Sequence, residues 1–225
     1  MNNATHINPA FDASLAEMDT LLTAMEDAVI AQITEARLAF VEMSASRARM
    51  VRKKDKALNC LAEDVELKVV TILAKHQPMA DDLRYTVGAL KMSIEYERTG
   101  DYVKHLAKSI AKLAAHDENL EVFPSLSRML DEVEAMFISY RKARTTNDLD
   151  AAVRVWLKDQ RIDDLCSEVV REAFENQKKG DGNVHSLIHA MSVAKNSERI
   201  GDKIKNLVEI YYQQKTGEHL DIKIE

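Results

Sequence analysis

Six glycines and three prolines in 225 residues leave little to punctuate the chain. An all-β fold needs turn residues at short, regular intervals, and no segment here alternates apolar with polar side chains at period two, so strands are not expected. Cysteine is as scarce. Cys60 and Cys166 stand alone, without a Cys-x-x-Cys pair, which excludes a disulfide framework and a thiolate zinc site and predicts two reduced thiols in helical cores. Excess positive charge is also missing. A net charge of −6 argues against non-specific nucleic-acid binding, and no direct nucleic-acid partner is expected. No apolar run reaches the roughly 18 residues of a membrane span. No basic N-terminal region leads into an apolar core, so a signal peptide is not expected and the location predicted is cytoplasmic. Enzyme motifs fail too: there is no P-loop, nucleophile elbow or His-Glu-x-x-His. None of the seven histidines has a glutamate three residues before it, the ligand pairing of a di-metal carboxylate enzyme in a helical bundle.

What is present is written twice. Glu97-Arg98-Thr99-Gly100-Asp101 returns 101 residues later as Glu198-Arg199-Ile200-Gly201-Asp202. Upstream, Asp55-xxx-Asn59 is echoed 104 residues later by Asp159-xxx-Asp163. Two markers at nearly one offset indicate a duplicated unit of about 100 residues. The only credible boundary lies around Asp117-Glu118-Asn119 and Pro124, giving repeats of 1–116 and 117–225.

Periodicity fills in each repeat. Phe11, Leu15, Met18, Leu22, Met25, Val29, Ile33, Ala36, Phe40 and Met43 step by fours and threes, one helix of about 35 residues. The cluster Arg47, Arg49, Arg52, Lys53, Lys54 and Lys56 reads as a solvated turn, with an acidic partner or lipid headgroups as the alternative. A second helix is predicted from Asp55 to His76 with Leu61, Val65, Val69, Ile72 and Leu73 inward, and a third from Asp82 to about 116. In the second repeat, helices are predicted over 125–145, 148–178 and 184–215, the first carrying Leu126, Leu130, Val133, Phe137 and Tyr140. Gly180-Asp181-Gly182-Asn183 reads as a turn. The fold class is all-α: two tandem antiparallel three-helix bundles.

The acidic strings carry the chemistry. Glu97 and Asp101 lie four apart, so both carboxylates leave one helix face and can share a cation; Glu198 with Asp202 and Asp159 with Asp163 do the same. Spacing alone is weak evidence among 37 acidic residues, whereas recurrence at a fixed offset is strong. Leu83, Val87, Leu90 and Ile94 share one stripe with Glu97 and Asp101 beside it, which predicts carboxylates at the margin of a packed seam, where lone charge is unfavourable. A cation would relieve it, or an ion pair with Arg98 or Arg199. His105 and Asn206 continue the two acidic lines as outer ligands or plain surface residues. Gly100 and Gly201, each costing a helix about 1 kcal/mol relative to alanine, imply close approach of another helix or a ligand.

These strings, with Gln77-Pro78-Met79-Ala80-Asp81-Asp82-Leu83-Arg84 and Asn206, resemble the PhoU family over essentially the whole chain. The resemblance implies two three-helix bundles and no enzymatic activity. It implies a negative regulator of the phosphate-starvation response that couples the ATPase subunit of a phosphate ABC transporter to a membrane sensor histidine kinase. It further implies a homodimer, cytoplasmic and peripheral at the inner membrane through its partners. The implied cofactors are divalent or transition metal cations (Mg, Mn, Fe or Zn) on Glu97, Asp101 and Asp55 in one repeat, and on Glu198, Asp202, Asp159 and Asp163 in the other. Thr99, where the family pentapeptide usually has an apolar residue, and Asn59, the neutral counterpart of Asp163, depart from the pattern and predict a weaker first cluster. The competing readings are a metal-free helical scaffold and a metal-binding scaffold with another signalling output.

Overall fold

Capping chemistry sets most of the helix starts. In the computed structural model, which describes residues 8–115, 123–179 and 183–222, Asn8, Ser44, Asp148 and Asn183 each accept a hydrogen bond from a first-turn backbone N–H. They open α1 (Pro9–Val41), α2 (Ala45–His76), α5 (Leu149–Leu157) and α7 (Val184–Thr216). The remaining helices are α3 (Ala80–Ala115), α4 (Pro124–Thr145) and α6 (Asp159–Lys179), and the described residues contain no strand. α7 ends on Gly217, whose φ of 80° turns its N–H back onto the Gln213 carbonyl.

α1, α2 and α3 form one three-helix bundle; α4, α5–α6 and α7 form the other, with α5–α6 standing where the first has α2. The apolar stripes of α1 and α4 are buried as their spacing predicts, from Phe11 to Phe40 and from Leu126 to Tyr140. The boundary expected between 116 and 117 lies outside the described residues, as do Asp117-Glu118-Asn119, Gly180-Asp181-Gly182 and residues 1–7.

Helix contacts arrange the chain in two layers: α2–α3–α7–α6 in front, α1 and α4 behind. α3 and α7 run antiparallel. Tyr85, Glu95 and Ser109 meet Gln214, Asn206 and Ser192 in turn, which brings Gly100 and Gly201 level at the middle of the pair. Behind them, ion pairs stitch the two bundles together: Arg37 to Glu134 at 2.5 Å, Arg141 to Asp27 at 2.6 Å and Arg144 to Glu26 at 2.6 Å.

Four expectations need correction. The basic cluster is helical, because α2 begins at Ala45; nothing between Ser44 and Asp55 breaks a helix, and Arg47 is held by Glu35 at 2.8 Å and Glu42 at 2.6 Å. The helix predicted over 148–178 breaks at Lys158, where hydrogen bonding tightens to Val155 and then from Arg161. Cys60 is exposed rather than core, and Cys166 is half-buried; both are free thiols. The stripe of Leu83, Val87 and Ile94 faces outward, as does Leu73, because α3 buries Met92, Tyr96 and Val103 on its opposite side. The same outward stripe recurs on α7 as Val184, Ile188 and Met191. The first acidic pair is half-buried at the edge of the α2–α3 contact, so it borders a different seam from the one that stripe suggested.

Candidate metal centres

Each cluster is built where a carboxylate from one helix meets the glycine of its neighbour. Asp55 on α2 is buried against Gly100 on α3; Asp159, the first residue of α6, is buried against Gly201 on α7. A β-carbon added at Gly201 would lie 2.8 Å from Asp159 Oδ1, and one at Gly100 would lie 2.4 Å from Leu58 Cδ2 and 3.8 Å from Asp55 Oδ1. The glycines thus let α2 and α6 bring their aspartates close to the carboxylate pairs on α3 and α7.

The first cluster closes on a residue the sequence reading passed over. Lys104 Nζ donates to Asp55 Oδ2 at 2.7 Å and to Asp101 Oδ1 at 2.5 Å, joining α2 to α3. Burial works against the Lys104 charge, but the hydrogen bonds to Asp101 and Asp55 outweigh it and raise its pKa. Glu97 is half-buried beside this group. In the second cluster, Lys205 reaches Asp159 Oδ2 at 3.3 Å, while Asp163 and Asp202 make no hydrogen bond or ion pair among the described residues. Glu198 takes two donors, Lys195 at 2.5 Å and the Cys166 thiol at 3.2 Å. Burial opposes its charge, but these hydrogen bonds prevail and hold its pKa below the usual carboxylate value. The Cys166 thiol is pushed up to about 12, by burial first and by Glu198 second.

Arg98 does something else. It pairs with Glu95 at 2.8 Å, not with the motif acids. Glu95 is buried where α3 crosses α7 and also takes Asn206 at 3.1 Å and Lys203 at 3.3 Å, so Asn206 is engaged away from the second cluster. A lysine three residues after each Asp101 and Asp202 was a signal in plain view, because it repeats at the same 101-residue offset.

The donor set fits a hard divalent cation in kind. It is oxygen-rich, and in each cluster a buried aspartate oxygen, Asp55 Oδ1 or Asp159 Oδ1, has no hydrogen-bond partner among the described residues. In the arrangement seen, no three His, Cys, Asp or Glu side chains among the described residues converge as a ready ligand set. Side chains must turn toward one another before an ion is held.

Crowded negative charge has a cost that can be measured. The Asp163 pKa is raised by burial and then by Glu198 and Asp202; that of Asp159 is raised by burial, with Asp163 and Asp202 adding. An aspartate whose folded pKa lies above its unfolded value binds more protons when folded, so its contribution to stability falls as pH rises through that window. Asp163→Asn, which installs the residue found at position 59, should stabilise the metal-free protein at pH 7 by about 0.5–1 kcal/mol. Urea unfolding in chelator at several pH values checks this. The advantage should shrink as pH approaches about 4, near the ordinary aspartate pKa, and an advantage that grows on acidification would contradict the assignment.

Comparison with known proteins follows the duplication. The family described as the PhoU domain matches residues 22–110 and again 126–211. The chain is 32% identical over 215 residues to the phosphate-specific transport system accessory protein PhoU homolog of Caulobacter vibrioides, covering 96% of this chain and 94% of that protein. It is 27% identical over 219 residues to the corresponding PhoU of Escherichia coli K12, covering 97% and 90%. Among solved structures, PhoU from Pseudomonas aeruginosa superposes with a TM-score of 0.85 at 25% identity, covering 92% of this chain and all of that one. The phosphate transport system regulatory protein PhoU from Streptococcus pneumoniae also gives 0.85, at 24% identity and 94% of this chain, and bears on the fold.

Proposed function

This chain belongs to the PhoU family, and from that premise we propose that it is an accessory regulator of phosphate transport that represses the phosphate-starvation response when phosphate is abundant. The observation that carries this reading is the match of both repeats to one family, together with 32% identity across nearly the whole of a phosphate-transport accessory protein. In this reading the protein is a non-enzymatic adaptor. It couples the ATPase subunit of a phosphate ABC transporter to a membrane sensor histidine kinase, acts as a homodimer in the cytoplasm, and reaches the inner membrane through those partners. No helix among the described residues is long and apolar enough to cross a membrane.

The proposed cofactor is a divalent or transition cation at each acidic cluster, held by Asp55, Glu97 and Asp101 in the first repeat and by Asp159, Asp163, Glu198 and Asp202 in the second. Bound there, the ion supplies positive charge to crowded carboxylates and ties α2 to α3 and α6 to α7. The protein's own part is to bring acids from neighbouring helices together across Gly100 and Gly201.

Deleting the gene should leave a phosphate-starvation reporter switched on in abundant phosphate, and restoring it should switch the reporter off. A reporter that stays off in the deletion strain overturns the repressor role and favours another signalling output. Glu198→Ala with Asp202→Ala should lower metal content severalfold while leaving helicity unchanged, because neither side chain is part of the apolar core. Metal content measured after dialysis, with far-ultraviolet circular dichroism alongside, decides it; global loss of helicity would make the motif structural.

A further inference from the structure

We propose that Lys104 is a built-in competitor for the cation of the first cluster, so that the two repeats load unequally: the second fills first, and the first fills only when Lys104 is withdrawn. The inference rests on the metal-binding reading above and adds the residue that sets its order.

Lys104 and Lys205 occupy equivalent positions in the duplication but behave differently. Lys104 places its ammonium between Asp55 and Asp101, at 2.7 and 2.5 Å, where a cation shared by those two carboxylates would have to sit. Lys205 only grazes Asp159 at 3.3 Å and instead lies over the Trp156 ring, 4.3 Å from its centroid. That ring is fixed in turn, because Trp156 Nε1 donates to Glu209 at 2.8 Å. At the 104-residue offset, the first repeat has exposed Arg52 where the second has Trp156, so nothing there draws Lys104 aside. An ammonium attracted to an aromatic face has less to give a carboxylate.

Charge runs the same way. Around the first cluster one lysine serves Asp55 and Asp101, and the fourth acidic position is the neutral Asn59. Around the second, Asp163 and Asp202 have no hydrogen bond or ion pair among the described residues. The buried aspartate of each cluster, Asp55 or Asp159, keeps one unpartnered oxygen, so the difference lies in the flanking acids. A tethered ammonium competes as an intramolecular ligand at high effective concentration, so a free divalent ion must exceed it to enter. At the second cluster the tether is loosened by tryptophan, and Asp163 and Asp202 stand unengaged to receive the ion beside Asp159, while Glu198 is held by Lys195 at 2.5 Å and by Cys166.

The test is a titration of full-length, chelator-stripped protein with Mn²⁺, following free Mn²⁺ by electron paramagnetic resonance, for wild type, Lys104→Met, Lys104→Arg and Lys205→Met. Wild type should take up one tight ion per chain, lost in Asp163→Asn/Asp202→Asn. Lys104→Met should add a second, with affinity at the first cluster raised at least tenfold. Lys104→Arg should behave as wild type, and Lys205→Met should change second-cluster affinity less than threefold. Should Lys104→Met fail to fold by circular dichroism, Lys104→Gln is read in its place. Mn²⁺ uptake unaltered by removing the Lys104 charge overturns the inference and leaves the metal reading standing. No uptake by any form overturns both.

Discussion

Arg144→Ala should lower the stability of this protein by about 3–5 kcal/mol, the cost of breaking a buried ion pair from one side. Arg144 makes a two-pronged contact with Glu26, Nε to Oε1 at 2.6 Å and Nη2 to Oε2 at 2.9 Å, and reaches Asp19 at 2.9 Å. Glu26 is 0% exposed, with Tyr96 donating to Oε1 at 2.7 Å and the Tyr140 hydroxyl 2.9 Å from that of Tyr96. Burial opposes the Arg144 charge, but the Glu26 hydrogen bonds prevail and raise its pKa; both tyrosines are pushed up, chiefly by burial. Removing the guanidinium strands a fully buried carboxylate, which is far worse than never having placed one there. In a chain of this size the loss corresponds to roughly 6–20 °C in Tm. Glu26→Met with Arg144→Met should recover most of it, because an apolar pair of similar volume leaves no charge unmatched.

The position of the network adds a second readout. Arg144 comes from α4 in the second bundle; Glu26 and Tyr96 come from α1 and α3 in the first. Its loss should loosen one bundle from the other, so that a single unfolding transition splits into two. Urea melts followed by circular dichroism and by Trp156 fluorescence would separate them. A loss under about 1 kcal/mol with coincident transitions would show that the pair behaves like an exposed salt bridge.

Nothing in the sequence announced this network. Residues 118 apart carry no spacing rule, and Glu26 lies beside Met25 on a stripe that reads as purely apolar. Local patterns fared better. The stripe from Phe11 to Phe40 is buried throughout because a period of 3.6 fixes which face points inward before any partner is known. The same rule misled at Leu83, Val87 and Ile94: periodicity finds a stripe without saying whether it is covered, and here the polar-looking side holding Thr86, Ser93 and Thr99 is the buried one. Those hydroxyls bond back to backbone carbonyls within α3, which satisfies them without water. Likewise the acids of the candidate site were legible as a repeat, and the lysines share that 101-residue offset; what the offset does not carry is that Lys104 bridges two aspartates while Lys205 lies over Trp156, because that depends on packing.

The glycines show where sequence and packing meet, and alanine at each should separate them. In a helix interior, Gly→Ala gains about 1 kcal/mol from propensity, and overpacking a core costs about 1–3 kcal/mol. At Gly88 the three atoms nearest the new methyl all belong to the Gln214 side chain, at 3.0–3.2 Å, and that side chain is half-buried and long. Gly88→Ala should therefore be neutral or slightly stabilising. At Gly100 the methyl would lie 2.4 Å from Leu58 Cδ2, and Leu58 is fully buried, so α2 and α3 must move apart. A net loss of about 1–2 kcal/mol is expected. At Gly201 the methyl would press on Asp159 Oδ1 at 2.8 Å and Ile162 Cδ1 at 3.1 Å, so the stability loss should be accompanied by weaker Mn²⁺ uptake at the second cluster. Urea unfolding of the three variants should rank Gly88→Ala above wild type or level with it, with Gly201→Ala and Gly100→Ala below. If Gly100→Ala proved as benign as Gly88→Ala, the two helices would not be in close contact at Asp55, and the geometry that delivers the buried aspartate to the first cluster would have to be redrawn.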